Sequence, residues 1–133
     1  MAINGGALVA QLRSQVTELS VLQLHEKRQQ NPQAIVIDIR EVSETQQGSI
    51  AHALLIPRGV LEMKIESIAT TKQHFSTLDE LAEQPIYLIC RSGSRSILSA
   101  LSLEQMGFKA VYSITGGFLA WQEAGYEVSV SCE

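Results

Sequence analysis

The chain has 133 residues, 45% hydrophobic and 18% charged, with a formal net charge of -4. That is enough for one domain with a single good core, and the balance is that of an ordinary globular protein. The acidic charge argues against nonspecific nucleic-acid binding, and no apolar run approaches the ~18–20 residues of a membrane span.

The start, "MAINGGALVAQLRSQV", has no basic region ahead of its short apolar run, so it does not read as a signal peptide, and a cytoplasmic location is the expectation. Residues 7–15 suit a short amphipathic helix, and residues 1–16 read as an extension ahead of a domain spanning 17–133. "TELSV" (17–21) predicts a short strand, and Ser20 opens a helix over "VLQLHEKRQQ" that Asn31-Pro32 ends. "AIVID" (34–38) is β-branched and continuous, the pattern of a strand covered on both faces.

A polar stretch with a helical turn follows over 41–48, stopped by Gly48. "ALLIP" (53–57) is a further short strand, and "RGVLEMKIESIA" sets Leu61, Ile65 and Ile68 at helical spacing. "STLDELAE" (76–83) opens with a hydroxyl cap and acidic residues in its first turn. "PIYLIC" (85–90) predicts a strand; "SRSILSALSLEQMG" predicts a helix with Ile97, Leu98, Leu101 and Met106 near one stripe and Gly107 as its stop. "AVYSIT" (110–115) is another strand, and "GGFLAWQEAG" (116–125) a short helix between glycines, with Phe118 and Trp121 as core residues. Strands alternating with helices predict an α/β fold: a parallel sheet of about five strands with helices on both faces.

In such folds ligands sit beyond the carboxyl ends of the strands. Cys90 ends a predicted strand, and "RSGSRS" follows it into a helix. Helix N-termini and cationic side chains favour the thiolate, the reactive form of cysteine. The amides of 91–96 would curl round the sulfur as an anion nest, Gly93 permits a positive φ, Arg91 and Arg95 add charge, and Ser94 or Ser96 caps the helix. A nucleophilic sulfur attacking an anionic donor fits this loop.

The other candidate groups carry less. Two cysteines, Cys90 and Cys132, do not make a disulfide framework, and nothing resembles a zinc motif, so neither a metal nor a cofactor is expected. The scattered His25, His52 and His74 read as surface or packing residues. Cys132 reads as a free thiol near the end, with a resolving thiol as the sharper alternative.

Four segments in order resemble a rhodanese-like domain over about residues 17–128. "CRSGSRS" resembles the family's active-site loop. "VIDIREVSE" (36–44) resembles D-V-R-E-x-x-E through Asp38, Arg40, Glu41 and Glu44. "GSIAHALLIPRG" (48–59) is similar to G-H-I-x-G-A-x-x-I-P, and "VYSITGGFLAWQEAGYEV" (111–128) to V-x-x-L-x-G-G-x-x-x-W-x-x-x-G-x-x-V. The chain departs from the family at Ser49, where His is usual, at His52, where Gly is usual, and at Thr45, where an aromatic is common.

The resemblance implies a sulfurtransferase. Cys90 would take a sulfane sulfur from thiosulfate or a persulfide and pass it to an acceptor such as cyanide or a thiol. Arg91, Ser92, Gly93, Ser94 and Arg95 would hold the persulfide and the donor's anionic end. Asp38 and Arg40 would support the site structurally as an ion pair, with Ser96 beside them in that supporting role, and Arg58 would reach the same cleft. A protein persulfide is a further partner; nucleic acid and membrane are not expected.

Two rivals stand beside that reading. A sulfur-carrier or protein-binding module would use the same fold with one specific partner. A phosphatase or arsenate-reductase loop would space its Cys and Arg by five residues; here four, Arg91 to Ser94, separate Cys90 from Arg95, with Ser96 next and Ile89 before the cysteine.

Overall fold

Continuous β-branched runs form the middle of the molecule. The computed structural model describes residues 1–71 and 76–130, with His74 and Cys132 outside them. Helix α1 (Gly5–Leu12) and a 3-10 turn (Arg13–Gln15) lead into β1 (Thr17–Leu19) and α2 (Val21–Gln30). Then come β2 (Ile35–Asp38), α3 (Val42–Thr45), β3 (Ser49–Ile50), β4 (Leu54–Leu55) and a 3-10 turn at Arg58–Val60. Helices α4 (Leu61–Lys64), α5 (Glu66–Thr71) and α6 (Leu78–Ala82) precede β5 (Pro85–Ile89) and α7 (Arg95–Gln105). The chain closes with β6 (Ala110–Ile114), α8 (Gly117–Glu123) and β7 (Val128–Ser129).

Five strands make one parallel sheet in the order β1-β6-β5-β2-β4. Alternation along each strand sends side chains to opposite faces. Ile35, Ile37, Ile86, Leu88 and Cys90 join Leu61, Ile65, Leu81, Ile97 and Leu103 in one core, on the side of α1, α4 to α7. Val36, Tyr87, Ile89 and Ile114 join Leu24, Phe118 and Trp121 in the other, beneath α2 and α8. The expected architecture, helices on both faces of a parallel sheet of five strands, is the observed one. Truncating any of the fully buried leucines or isoleucines to Ala would cost about 2–5 kcal/mol.

Local chemistry sets the element ends. Ser20 forms a capping box with Gln23: its hydroxyl accepts the Gln23 N–H at 3.1 Å, and the Gln23 amide oxygen accepts the Ser20 N–H at 2.8 Å. Thr77 accepts the Glu80 N–H at 3.1 Å and opens α6. The N-terminal helix packs on α7 and puts Val9 into the first core.

Three details differ from the sequence reading. The buried side of α7 is Ser96, Ile97, Ser99, Ala100 and Leu103, whereas Met106, placed on its stripe, is exposed. At about 3.6 residues per turn Met106 falls on the side of the helix opposite Ile97. The strand at 53–57 shortens to Leu54–Leu55, although the Ile56 and Arg58 N–H groups still donate to the Asp38 and Ile39 carbonyls. Antiparallel β3 and β7, pairing Ser49 with Ser129 and Ile50 with Val128, were not foreseen; two residues carry no readable period.

The sheet's register positions the site. Asp38 lies opposite Ile89, so the carboxyl ends of β2 and β5 stand side by side. The segments that follow, 39–49 and 90–95, therefore meet above the same edge.

Candidate active site

The loop after β5 is folded round a sulfur. Cys90 Sγ accepts the Gly93 N–H at 3.1 Å and lies 3.4 Å from Ser96 Oγ. Ser96 Oγ is 2.7 Å from Ser113 Oγ on β6, and both serines are fully buried. Cys90 is only 1% exposed and is the free cysteine among the described residues.

The loop's carbonyls turn the other way. The Phe118 N–H donates to Cys90 O at 2.8 Å, and the Leu119 N–H donates to Arg91 O at 3.1 Å. The opening N–H groups of α8, which have no partner inside their own helix, are thus satisfied by the loop. This approach needs Gly117: a Cβ there would stand 2.4 Å from the Cys90 carbonyl oxygen and 2.7 Å from that of Arg91. Gly93 is less tightly confined, its Cβ lying 3.2 Å from Gly116 N, but its φ of +101° favours glycine.

Side chains from the 38–49 segment brace the loop. Glu44 accepts two bonds from Arg95, at 2.8 and 2.9 Å, across 51 residues of sequence. Its carboxyl is held down to about 2, chiefly by those hydrogen bonds, and the Arg95 guanidinium is raised in turn by Glu44. Asp38 and Arg40 form a buried ion pair at 2.9 Å. Arg40 also donates to Gly48 O at 2.7 Å and lies 4.0 Å above the Phe118 ring.

Two of the three departures from the family pattern find hydrogen-bond partners, and the third bears on the backbone. Ser49 donates to Asp38 Oδ2 at 2.6 Å. Thr45 is buried and bonds Val42 O at 3.2 Å. His52 takes φ 66°, the one non-glycine residue with a positive φ among those described.

Of the residues singled out from sequence, the structure gathers Cys90, Gly93, Arg95 and Ser96 round the sulfur and sets Asp38 and Arg40 beside them. Arg91, Ser92 and Ser94 are exposed on the rim. Arg58 is exposed at the start of its 3-10 turn, its N–H donating to Ile39 O at 2.9 Å, and it does not line the cleft beside the loop. Chain direction after Pro57 carries it outward. Ser94 precedes α7 but its side chain makes no cap, and Ser96 is turned inward to Ser113. Glu44, Ser113 and Gly117 were not picked out as site residues; Phe118, read first as core packing and second as a pocket wall, lines the cleft beside the loop. Glu44 and the Gly116-Gly117 pair stand within the family-like segments, so a signal existed for both; Ser113 has none in sequence.

This geometry defines a class: an α/β domain with a buried cysteine in an amide-lined loop at the carboxyl edge of a parallel sheet. The family model for the Rhodanese-like domain matches residues 20–124, and the chain belongs to that family. A putative sulfurtransferase of Bacillus subtilis, YtwF, is 32% identical over 108 residues, covering 81% of this chain and 92% of that protein. A putative sulfur carrier protein of the same organism, YrkF, is 26% identical over 118 residues, covering 89% of this chain and 57% of that one. Among solved structures, a protein of unknown function from Rhodopseudomonas palustris, described as a possible tyrosine phosphatase, superposes with a TM-score of 0.77 at 25% identity, over 97% of this chain and 96% of that one. The homologues make a sulfurtransferase-type role the supported activity class.

Proposed function

We propose that the protein transfers sulfane sulfur through a persulfide on Cys90. The observation that carries this is the single-sidedness of the loop. The Gly93 N–H and the Ser96 hydroxyl face the sulfur, while the Cys90 and Arg91 carbonyls are tied to α8. An outer sulfur on Cys90 would extend into a rim of unpartnered amides at the start of α7, which suits an anionic persulfide. The donor is thiosulfate or a persulfide, and the acceptor a thiol, with cyanide as the convenient laboratory substitute.

In the transfer, the Cys90 thiolate attacks the donor's sulfane sulfur. The donor's S–S bond breaks, and its electron pair leaves with the remaining sulfite or thiolate. Arg91 and the rim amides hold the anionic donor, and Arg95 keeps the loop in place through Glu44.

Intact mass tests the reading. The protein should gain one sulfur atom from thiosulfate or glutathione persulfide and lose it on adding cyanide, while Cys90→Ser gains nothing. No gain from either donor sinks it.

A second reading, a carrier that loads once and waits for a partner, is favoured by the burial of Cys90 and by the likeness to YrkF. Repeated turnover with small donors and acceptors would exclude it. The phosphatase reading lacks its cation: Arg95 is committed to Glu44.

A further inference from the structure

Away from the sulfur, two opposite charges face one cleft without meeting. Arg28 on α2 is half-buried, donates to the Ala51 carbonyl and lies 5.9 Å from the Trp121 ring. Burial lowers the pKa of its guanidinium, and the nearby Glu127 carboxylate opposes that. Yet Glu127 forms no ion pair with Arg28, nor with any other cation among the described residues. Backbone anchors hold the two sides. The Glu127 carbonyl accepts the Ala51 N–H at 3.3 Å and Trp121 Nε1–H at 2.8 Å, while Ala51 holds Arg28.

Arg28 and Glu127 line a cleft of about 270 Å³ with His25, His52 and Trp121. One water takes only about 30 Å³ of the liquid, so there is room for a larger guest. The cleft shares α8 with the one beside the sulfur loop, but no residue. His25 is packed, stacked on Tyr126 at 4.2 Å and edge-on to Trp121. His52 is exposed and holds a left-handed backbone at φ 66°, where the family usually has glycine. Backbone strain of this kind collects at ligand sites.

The charge pattern selects the guest. A simple anion drawn to Arg28 meets Glu127, and a simple cation drawn to Glu127 meets Arg28. A metal ion fares no better: the described residues hold no group of three His, Cys, Asp or Glu fit to ligate one. A molecule carrying a carboxylate and an ammonium on one carbon answers both charges.

We propose that this cleft binds a free α-amino acid as its zwitterion. The carboxylate takes Arg28 N–H groups that Ala51 leaves open, with His52 beside it. The ammonium pairs with Glu127, and an apolar side chain lies against Trp121.

Trp121 is the protein's one tryptophan, so its emission reports occupancy. The full chain is titrated with L-methionine, following that emission and the heat of binding in parallel. N-acetyl-L-methionine keeps the carboxylate and lacks the ammonium; L-methionine amide does the reverse. Each should bind about tenfold or more weakly than methionine, the scale of one lost charge-assisted hydrogen bond. Glu127→Gln should weaken methionine by about as much and leave N-acetyl-methionine unchanged. His52→Gly should weaken methionine severalfold in a protein whose thermal midpoint is no lower, which separates contact from folding. Equal binding of methionine and its N-acetyl form overturns the inference. So does tighter binding of inorganic phosphate than of methionine, an undiminished affinity in Glu127→Gln, or neither heat nor emission change with methionine.

Discussion

At the scale of single residues, backbone space decides more than side-chain identity. Gly117 sits at φ +56° with two loop carbonyls inside the reach of a Cβ. Gly117→Ala should push the Cys90–Arg91 backbone outward, lower stability by about 2–4 kcal/mol, and cut turnover by about a hundredfold. Thermal unfolding and steady-state rates would show both. His52 is the opposite case, a side chain where the backbone favours glycine. His52→Gly should raise stability by about 0.5–1 kcal/mol, the left-handed strain relieved less the extra chain entropy. An unchanged or lower midpoint in urea would contradict that. The sequence already marked both positions, because a glycine pair and a missing glycine are visible in one dimension. Ser113 was not visible: a serine in a strand looks the same whether it faces solvent or supports the hydroxyl under a thiol.

At the scale of elements, the site depends on segments distant in sequence. Glu44 in α3 and Arg95 at the start of α7 are 51 residues apart and meet because β2 and β5 are neighbours in register. Nothing local in either segment announces the pair, so Arg95 was read as a donor-binding charge when its first contact is a carboxylate. The pair has a pH signature. Glu44 is lowered from 4.5 to about 2, so its contribution is full above pH 4.5 and fades as pH falls through 2. Both side chains are partly solvated, at 35% and 27% exposure, so the effect is modest and weakened by salt. The stability gap between wild type and Glu44→Gln should therefore be open above pH 4.5 and close towards pH 2. A gap unchanged across that window would mean the pair contributes nothing. The helix starts where expected, beside Ser94, but neither serine caps it: hydroxyls are good caps in general, yet the Ser94 side chain makes no cap bond and Ser96 has a partner on β6.

At the scale of the whole molecule, the sheet was legible because its strands are buried on both faces, which leaves continuous apolar runs and short polar connections. The β3–β7 pair was not, yet it ties the chain's end to the segment that carries Ser49. The Glu127 carbonyl accepts Trp121 Nε1–H at 2.8 Å and the Ala51 N–H at 3.3 Å. Ending the chain at Tyr126 would strip these bonds and the β7 pairing, for a loss of about 2–3 kcal/mol. Amide exchange at Ile50 and Ala51 should quicken in that variant while β5 stays protected. Equal quickening across the sheet would mean that the clasp belongs to the global fold.

The burial of Cys90 has a further chemical consequence. A persulfide offers an incoming thiol two atoms. Attack at the outer one passes the sulfur on and regenerates the cysteine. Attack at the inner one expels hydrosulfide and leaves the cysteine capped as a mixed disulfide. In the persulfide proposed for Cys90, the inner atom would stand behind Gly93 and Ser96, and the outer atom alone would present itself. Burial would thus act as a regiochemical filter, keeping the sulfur in transfer rather than letting it escape as sulfide.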